Sequence, residues 1–286
     1  MNLNLNINDV SETALLTLYS HAFDAQDKNP ILNDVSSVQT IHLLNKELSK
    51  SEKKLHKRLS SGKIDKKGIV HIAIRAKKYD KYILDFCQKN PNATIVNIGC
   101  GLDNRFERID NGKVKFFDLD LPDIIDIKKQ LFGETDRYHF ISQSVFDFNW
   151  LENIPKNDTL FIAEGVFMYC REDDVKSLFL RLQENFPGSE MVCEVFNSVW
   201  LKGWLKKIMQ IKMQKELHLG KNASFLSGIR DSYEMESWNQ GITLLGDWSY
   251  FDSDEKKLGF LKLFRHTRLF RKTQWTVHYR FEKNPN

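Results

Sequence analysis

A chain of 286 residues, 41% apolar and 28% charged, has the composition of one globular domain or of one domain with an appended cap. Its formal net charge of +4 is too mild to argue for a nucleic-acid or membrane surface. The four cysteines (Cys87, Cys100, Cys170 and Cys193) form no CxxC pair and no histidine stands at ligand spacing, which reads as reduced thiols, no metal site and a cytoplasmic setting. The opening MNLNLNINDVSETA lacks a basic region followed by a long apolar core, so no signal peptide is expected. No apolar run reaches membrane-spanning length.

Residues 11 to 90 carry helical spacing. Ala14, Leu15, Leu18, Tyr19 and Ala22 form one stripe, and Val38, Ile41 and Leu44 to Leu48 form another. The polar, basic KKLHKRLSSGKIDKKG that follows predicts a flexible connection. A longer helix is expected over Ile69 to Lys89, ended by Pro91-Asn92. Its Arg75 follows the low-charge run His71-Ile72-Ala73-Ile74. It is either a surface ion pair or an arginine that turns inward to a carboxylate.

From Ala93 the period changes. Strands are expected at 94–98, 114–118, 138–142, 159–163, 190–196 and 274–282, with helices near 122–132, 149–153 and 171–185. This alternation predicts a mostly parallel α/β sheet with helices on both faces. The first strand runs into Gly99-Cys100-Gly101, and the second ends in Asp118 and Asp120. Glycines in such a turn let backbone approach a nucleoside-like ligand, and an acid at the next strand end can accept ribose hydroxyls. Asn104 stands where a dinucleotide fingerprint would have its third glycine. Asp120 has a competing reading as a cap for the helix after Pro122. Glu164, in FIAEGVFMY, ends the fourth strand, where it faces either a ligand or solvent.

The 198–246 segment interrupts the alternation. Its WLKGWLKKIMQIKMQKEL reads as a basic amphipathic lid helix. The stretches 50–67, 202–215 and 256–283 are basic, which reads as solvated surface or as contact with an anionic partner.

Taken in order, IVNIGCGLDNRFER, FFDLDLPDIIDIKK, SVFDFNW and FIAEGVFMY resemble the leucine carboxyl methyltransferase family, within its polyketide O-methyltransferase branch. The match in order and spacing spans roughly residues 70 to 197. The resemblance implies a class I, Rossmann-like methyltransferase with a seven-stranded sheet and a helical cap. It implies a cap and arginine helix over 1–92, a methyltransferase domain over 93–286, and S-adenosylmethionine as cofactor. Position by position, Arg75 resembles the clamp on the methionine carboxylate, and Gly99 and Gly101 the loop beneath it. Asp120 resembles the ribose acid with Asp118 beside it, Ser144 and Val145 the adenine-side pair, and Glu164 the acid of the fourth strand. Two departures stand out. Ser144 replaces the family's usual Asp, and Asn97 stands where many class I enzymes carry an acid.

The expected reaction is O-methylation of a carboxylate or hydroxyl on a small, polyketide-like or aromatic acceptor, by a monomer or homodimer without nucleic acid or membrane. A protein C-terminal carboxylate, or less favoured an RNA, is the alternative acceptor. Tyr169 and Asn197 are candidate substrate contacts. His42 and His71 are possible bases, and no catalytic base is assigned.

Overall fold

The computed structural model describes residues 12–207, 209 and 224–283. Four helices come first: α1 (Glu12–Ala25), α2 (Val35–Leu48), α3 (Lys54–Ser60) and α4 (Lys66–Lys89). The expected flexible connection therefore contains a short helix, in which Leu55 and Leu59 are buried. Helix α4 starts three residues earlier than its apolar stripe suggests, because Asp65 caps it by accepting the Gly68 amide at 2.9 Å.

The sheet is built from β1 (Thr94–Ile98), β2 (Lys115–Asp120), β3 (Tyr138–Ser142), β4 (Thr159–Ala163), β5 (Glu190–Phe196), β6 (Ile242–Trp248) and β7 (Gln274–Phe281). The spatial order is β3-β2-β1-β4-β5-β7-β6. Strands β1 to β5 pair in parallel, and β7 runs antiparallel to both β5 and β6. Between them lie α5 (Arg105–Ile109), α6 (Pro122–Leu131) and α7 (Glu172–Asn185). The expected helix at 149–153 is a single 3-10 segment, Phe148–Asn153.

Strand alternation divides the core into two layers. Ile95, Phe116, Leu160, Ile162 and Val192 meet Tyr79, Ile83 and Phe86 of α4 on one face. Val96, Ile98, Phe161, Ala163 and Cys193 meet Leu178, Phe179 and Leu182 of α7 on the other. A third cluster joins α1 and α2 to Leu102, Ile124 and Ile127, so the N-terminal helices share their core with the sheet unit. Strand β6 begins inside the segment expected to be lid and runs two residues past it, which shortens that segment at its C-terminal end. Half of the expected lid helix, at 208 and 210–217, lies outside the described residues.

One buried ion pair fixes the second strand to its helix. Lys128 of α6 is fully buried, with Nζ 2.7 Å from an Asp118 oxygen. The same carboxylate accepts Asn97 Nδ2 at 2.8 Å and the Tyr138 hydroxyl at 2.5 Å. Burial works against the Lys128 charge, but Asp118 raises its pKa to about 12. Replacing one partner would leave an uncompensated buried charge. Lys128→Met is expected to lower unfolding free energy in urea by about 3–5 kcal/mol, with much of it recovered in the double variant Lys128→Met/Asp118→Leu. A loss below about 1 kcal/mol for the single variant would place the pair outside the stability-determining contacts.

Candidate active site at the carboxyl edge of the sheet

A cavity of about 1430 Å³ opens at the carboxyl ends of the parallel strands. Arg75, Gly99, Gly101, Asp120, Ser144, Val145, Glu164 and Tyr169 all line it. Ligand cavities commonly measure about 300–1,000 Å³, so this one has room for a nucleoside cofactor and a second molecule together.

The glycine turn is held tightly by the protein itself. Gly99 and Gly101 have φ of +64° and +56°, values that favour glycine. A Cβ at Gly99 would sit 2.4 Å from Val166 Cγ2, and one at Gly101 would sit 3.1 Å from the Ala14 Cβ of α1. The glycines thus let the EGV turn and the N-terminal helix close against the loop. The Gly101 amide donates to Asp120 Oδ2 at 2.8 Å, and the Leu121 amide donates to Oδ1 at 2.7 Å. Each oxygen keeps capacity for another donor, which suits a pair of ribose hydroxyls. Burial raises the Asp120 carboxyl to about 6, against the pull of those two amides.

Asp118 does not reach the cavity. Its carboxylate is enclosed by Lys128, Asn97 and Tyr138, which corrects the expectation that it contacts the cofactor. Asn97 is occupied by the same bond, although it lines the cavity. Asn197 is also displaced from its expected substrate role. Its side chain accepts the Val199 amide at 3.0 Å and donates to the Lys272 carbonyl at 2.8 Å, and it does not line the cavity. Of the two candidate bases, His71 lines the cavity and His42 is exposed on α2.

Arg75 turns inward. Its Nε donates to Glu164 Oε1 at 2.7 Å, and Nη1 donates to Glu194 Oε2 at 3.0 Å. Glu164 accepts a second guanidinium, that of Arg105, on its other oxygen. Arg105 also lies 3.0 Å from Asp80, and 5.6 Å separates its Cζ from the Tyr79 ring centroid. The network continues through Arg108, which reaches Asp80 at 2.7 Å, Asp103 at 2.7 Å and Asp34 at 2.8 Å. It ends at His21, whose Nδ1 is 3.2 Å from Asp34.

Burial opposes the Glu164 charge, but Arg105 and Arg75 hold its carboxyl below the usual range. Burial raises the Glu194 carboxyl, with Arg75 pulling the other way. A guanidinium carries five N–H donors, so the two bonds of Arg75 leave donors for a bound carboxylate. Asp103 and Arg105 lie in the GCGLDNR stretch just past the glycine turn, and neither has a role assigned from sequence. Glu194 had one signal in sequence, a lone acid within the apolar strand MVCEVF, which demands a partner when buried.

His21 gives this network a pH signature. Burial pushes its imidazole down, but Asp103 and Asp34 outweigh that and raise it to about 9. Folding stability from the charged imidazole is complete below about pH 6.5 and is lost as pH rises through about 9. The full effect is about 3 kcal/mol. Wild type is expected to lose more thermal stability than His21→Gln between these pH values. Parallel pH profiles for the two would contradict the charged state.

The sequence profile of the leucine carboxyl methyltransferase family matches residues 14–183. The tetracenomycin polyketide synthesis O-methyltransferase TcmP of Streptomyces glaucescens is 28% identical over 251 residues, 87% of this chain and 86% of its own length. The S-adenosyl-L-methionine-dependent methyltransferase dpfgK of Gibberella zeae is 28% identical over 202 residues, 67% of this chain and 66% of its own. In fold, the chain is similar to a DUF574-family protein of Streptomyces avermitilis, with TM-score 0.55 at 9% identity over 92% of this chain and 96% of that one. It is likewise similar to a proposed methyltransferase of Thermobifida fusca, with TM-score 0.54 at 12% identity over 92% and 94%. The chain belongs to the leucine carboxyl methyltransferase family and is an S-adenosylmethionine-dependent methyltransferase.

Proposed function

We propose that this protein methylates an oxygen of a small apolar or aromatic molecule. The observation that carries the reading is the continuity of the cavity. It runs from the Asp120 and Glu164 end to a wall containing Tyr169, Phe196, Phe225, Tyr250, Phe251 and Phe270. The similarity to TcmP, a polyketide synthesis O-methyltransferase, supports an acceptor of this kind.

S-adenosylmethionine, when bound, supplies an activated methyl group with a thioether leaving group. Arg75 would hold its carboxylate, the Gly99–Gly101 backbone its methionine portion, and Asp120 its ribose, with Ser144 and Val145 on the adenine side. The rest is alignment and exclusion of water, and alignment alone contributes on the order of 7–11 kcal/mol. Burial pushes the Tyr169 hydroxyl up to about 12, so it stays protonated and can donate to the acceptor. Its ring packs edge-on against Phe225 at 5.3 Å. Burial and the neighbouring Arg75 push the His71 imidazole down to about 3. His71 is therefore a neutral imidazole at neutral pH, able to accept a hydrogen bond from the acceptor but too weak a base to keep the acceptor's proton. An already acidic oxygen, that of a carboxylate or an acidic phenol, needs no stronger base.

Incubation with methyl-labelled S-adenosylmethionine and a panel of aromatic carboxylic acids and phenols is expected to give labelled esters or ethers. Transfer only to protein C-termini, or to no oxygen at all, would refute the small-molecule reading. Arg75→Ala is expected to weaken S-adenosylhomocysteine binding by calorimetry about tenfold to a hundredfold, the range for loss of a charge-assisted pair. Unchanged affinity would remove Arg75 from the cofactor site.

A further inference from the structure

Two basic stretches, 50–67 and 256–283, stand far apart in sequence. The fold brings members of both to one rim of the cavity. Lys66 and Lys67 begin α4, and Lys257 lies in the 3-10 segment Lys256–His266. All three are exposed and line the cavity, together with Arg58 of α3. Their proximity is visible at Asp27. Its carboxyl is held low by the Asn29 amide first, then by Lys257 at 3.0 Å, and also by the charge of Lys66. The second acid at the rim, Asp65, is engaged by the Gly68 amide. Cations therefore outnumber acids there.

The opposite end of the cavity has the reverse sign. Glu164 and Glu194 flank Arg75, Arg105 serves Glu164, Asp80 and Asp103, and Asp120 lines the cavity beside the glycine turn. Between the two ends the wall is apolar and aromatic, with Val70, Tyr250, Phe251, Leu258 and Leu261. One face of α4 spans the distance. Lys67, His71 and Arg75 follow at four-residue spacing and all line the cavity. At 1.5 Å per residue, rim and floor are about 12 Å apart along the helix.

We propose that the acceptor is an amphipathic anion. Lys66, Lys67 and Lys257 hold a carboxylate, sulfonate or phosphate group at the rim. The apolar body lies between, and the methyl-accepting oxygen points toward the cofactor at the floor, within about 12 Å of the anionic group. This rests on the acceptor reading of the cavity given above. Exposed lysines contribute little energy each, but together they steer and retain an anion in a salt-dependent way.

The test uses two fluorescent probes that share an anilinonaphthalene body. One is 1-anilinonaphthalene-8-sulfonate; the other is the neutral N-phenyl-1-naphthylamine. Wild type is expected to bind the sulfonate more tightly, with the advantage fading toward about 0.5 M salt. Lys66→Glu/Lys67→Glu is expected to weaken the sulfonate about tenfold and the neutral probe less than about twofold. The control Lys113→Glu/Lys115→Glu makes the same net-charge change near the amino end of β2 and is expected to alter neither. Circular dichroism melting checks that all variants fold. Neutral-probe binding with no sulfonate advantage, or equal effects of the two double variants, overturns the rim proposal and leaves the acceptor cavity standing. Failure of wild type to bind either probe overturns both.

Discussion

Glu164 held between two guanidiniums is the contact on which the rest of the site depends. Burying a carboxylate at a strand end is costly unless every oxygen finds a charged partner. Arg75 comes from α4 and Arg105 from the start of α5, just past the glycine turn. The single carboxylate therefore fixes the positions of two helices, the loop between β1 and α5, and the end of β4. Arg75 passes the constraint to Glu194 of β5, and Arg108 passes it through Asp80 and Asp103 to Asp34 and His21. The N-terminal helices are thereby joined to the Arg75–Glu164 end of the cavity by charge as well as by their apolar core.

Depth along a strand separates two acids that look alike in sequence. Asp118 and Asp120 are two residues apart in β2 and project to the same side. At Asp118 that side is covered by α6, and Lys128 neutralises it. At Asp120 the strand ends, the Gly101 amide of the glycine turn and the following Leu121 amide donate to the carboxylate, and the cavity begins. One acid holds the fold together and the other faces the cavity. The whole cavity is sorted by charge in the same sense, with carboxylates at its floor, aromatic residues along its wall and lysines at its rim.

Much of this was legible in the sequence because it is local. Alternating apolar runs marked six strands, and the GCG turn with Asp120 marked the edge at which the cavity opens. The seventh strand, ITLLGDW, was hidden. It borders the sheet edge, alternates weakly in burial and carries an irregularity in register between Leu244 and Gly246. Arg105, Glu194 and Lys128 were not assigned roles because their partners lie far away in the chain, and pairing across the fold has no periodic signature. Asn197 misled for a related reason. A polar residue at a strand end suits a ligand or a helix cap equally well, and here the cap and the Lys272 carbonyl claim it.

The proposed roles of Arg75, Asp120, Ser144 and Val145 all require the floor of the cavity to be the cofactor end. A crystal structure with S-adenosylhomocysteine tests this most directly. The amino-acid carboxylate is predicted to face Arg75, with the ribose hydroxyls within hydrogen-bonding distance of Asp120 and the adenine beside Ser144 and Val145. A nucleoside bound at the lysine rim, or one whose ribose lies away from Asp120, would contradict it.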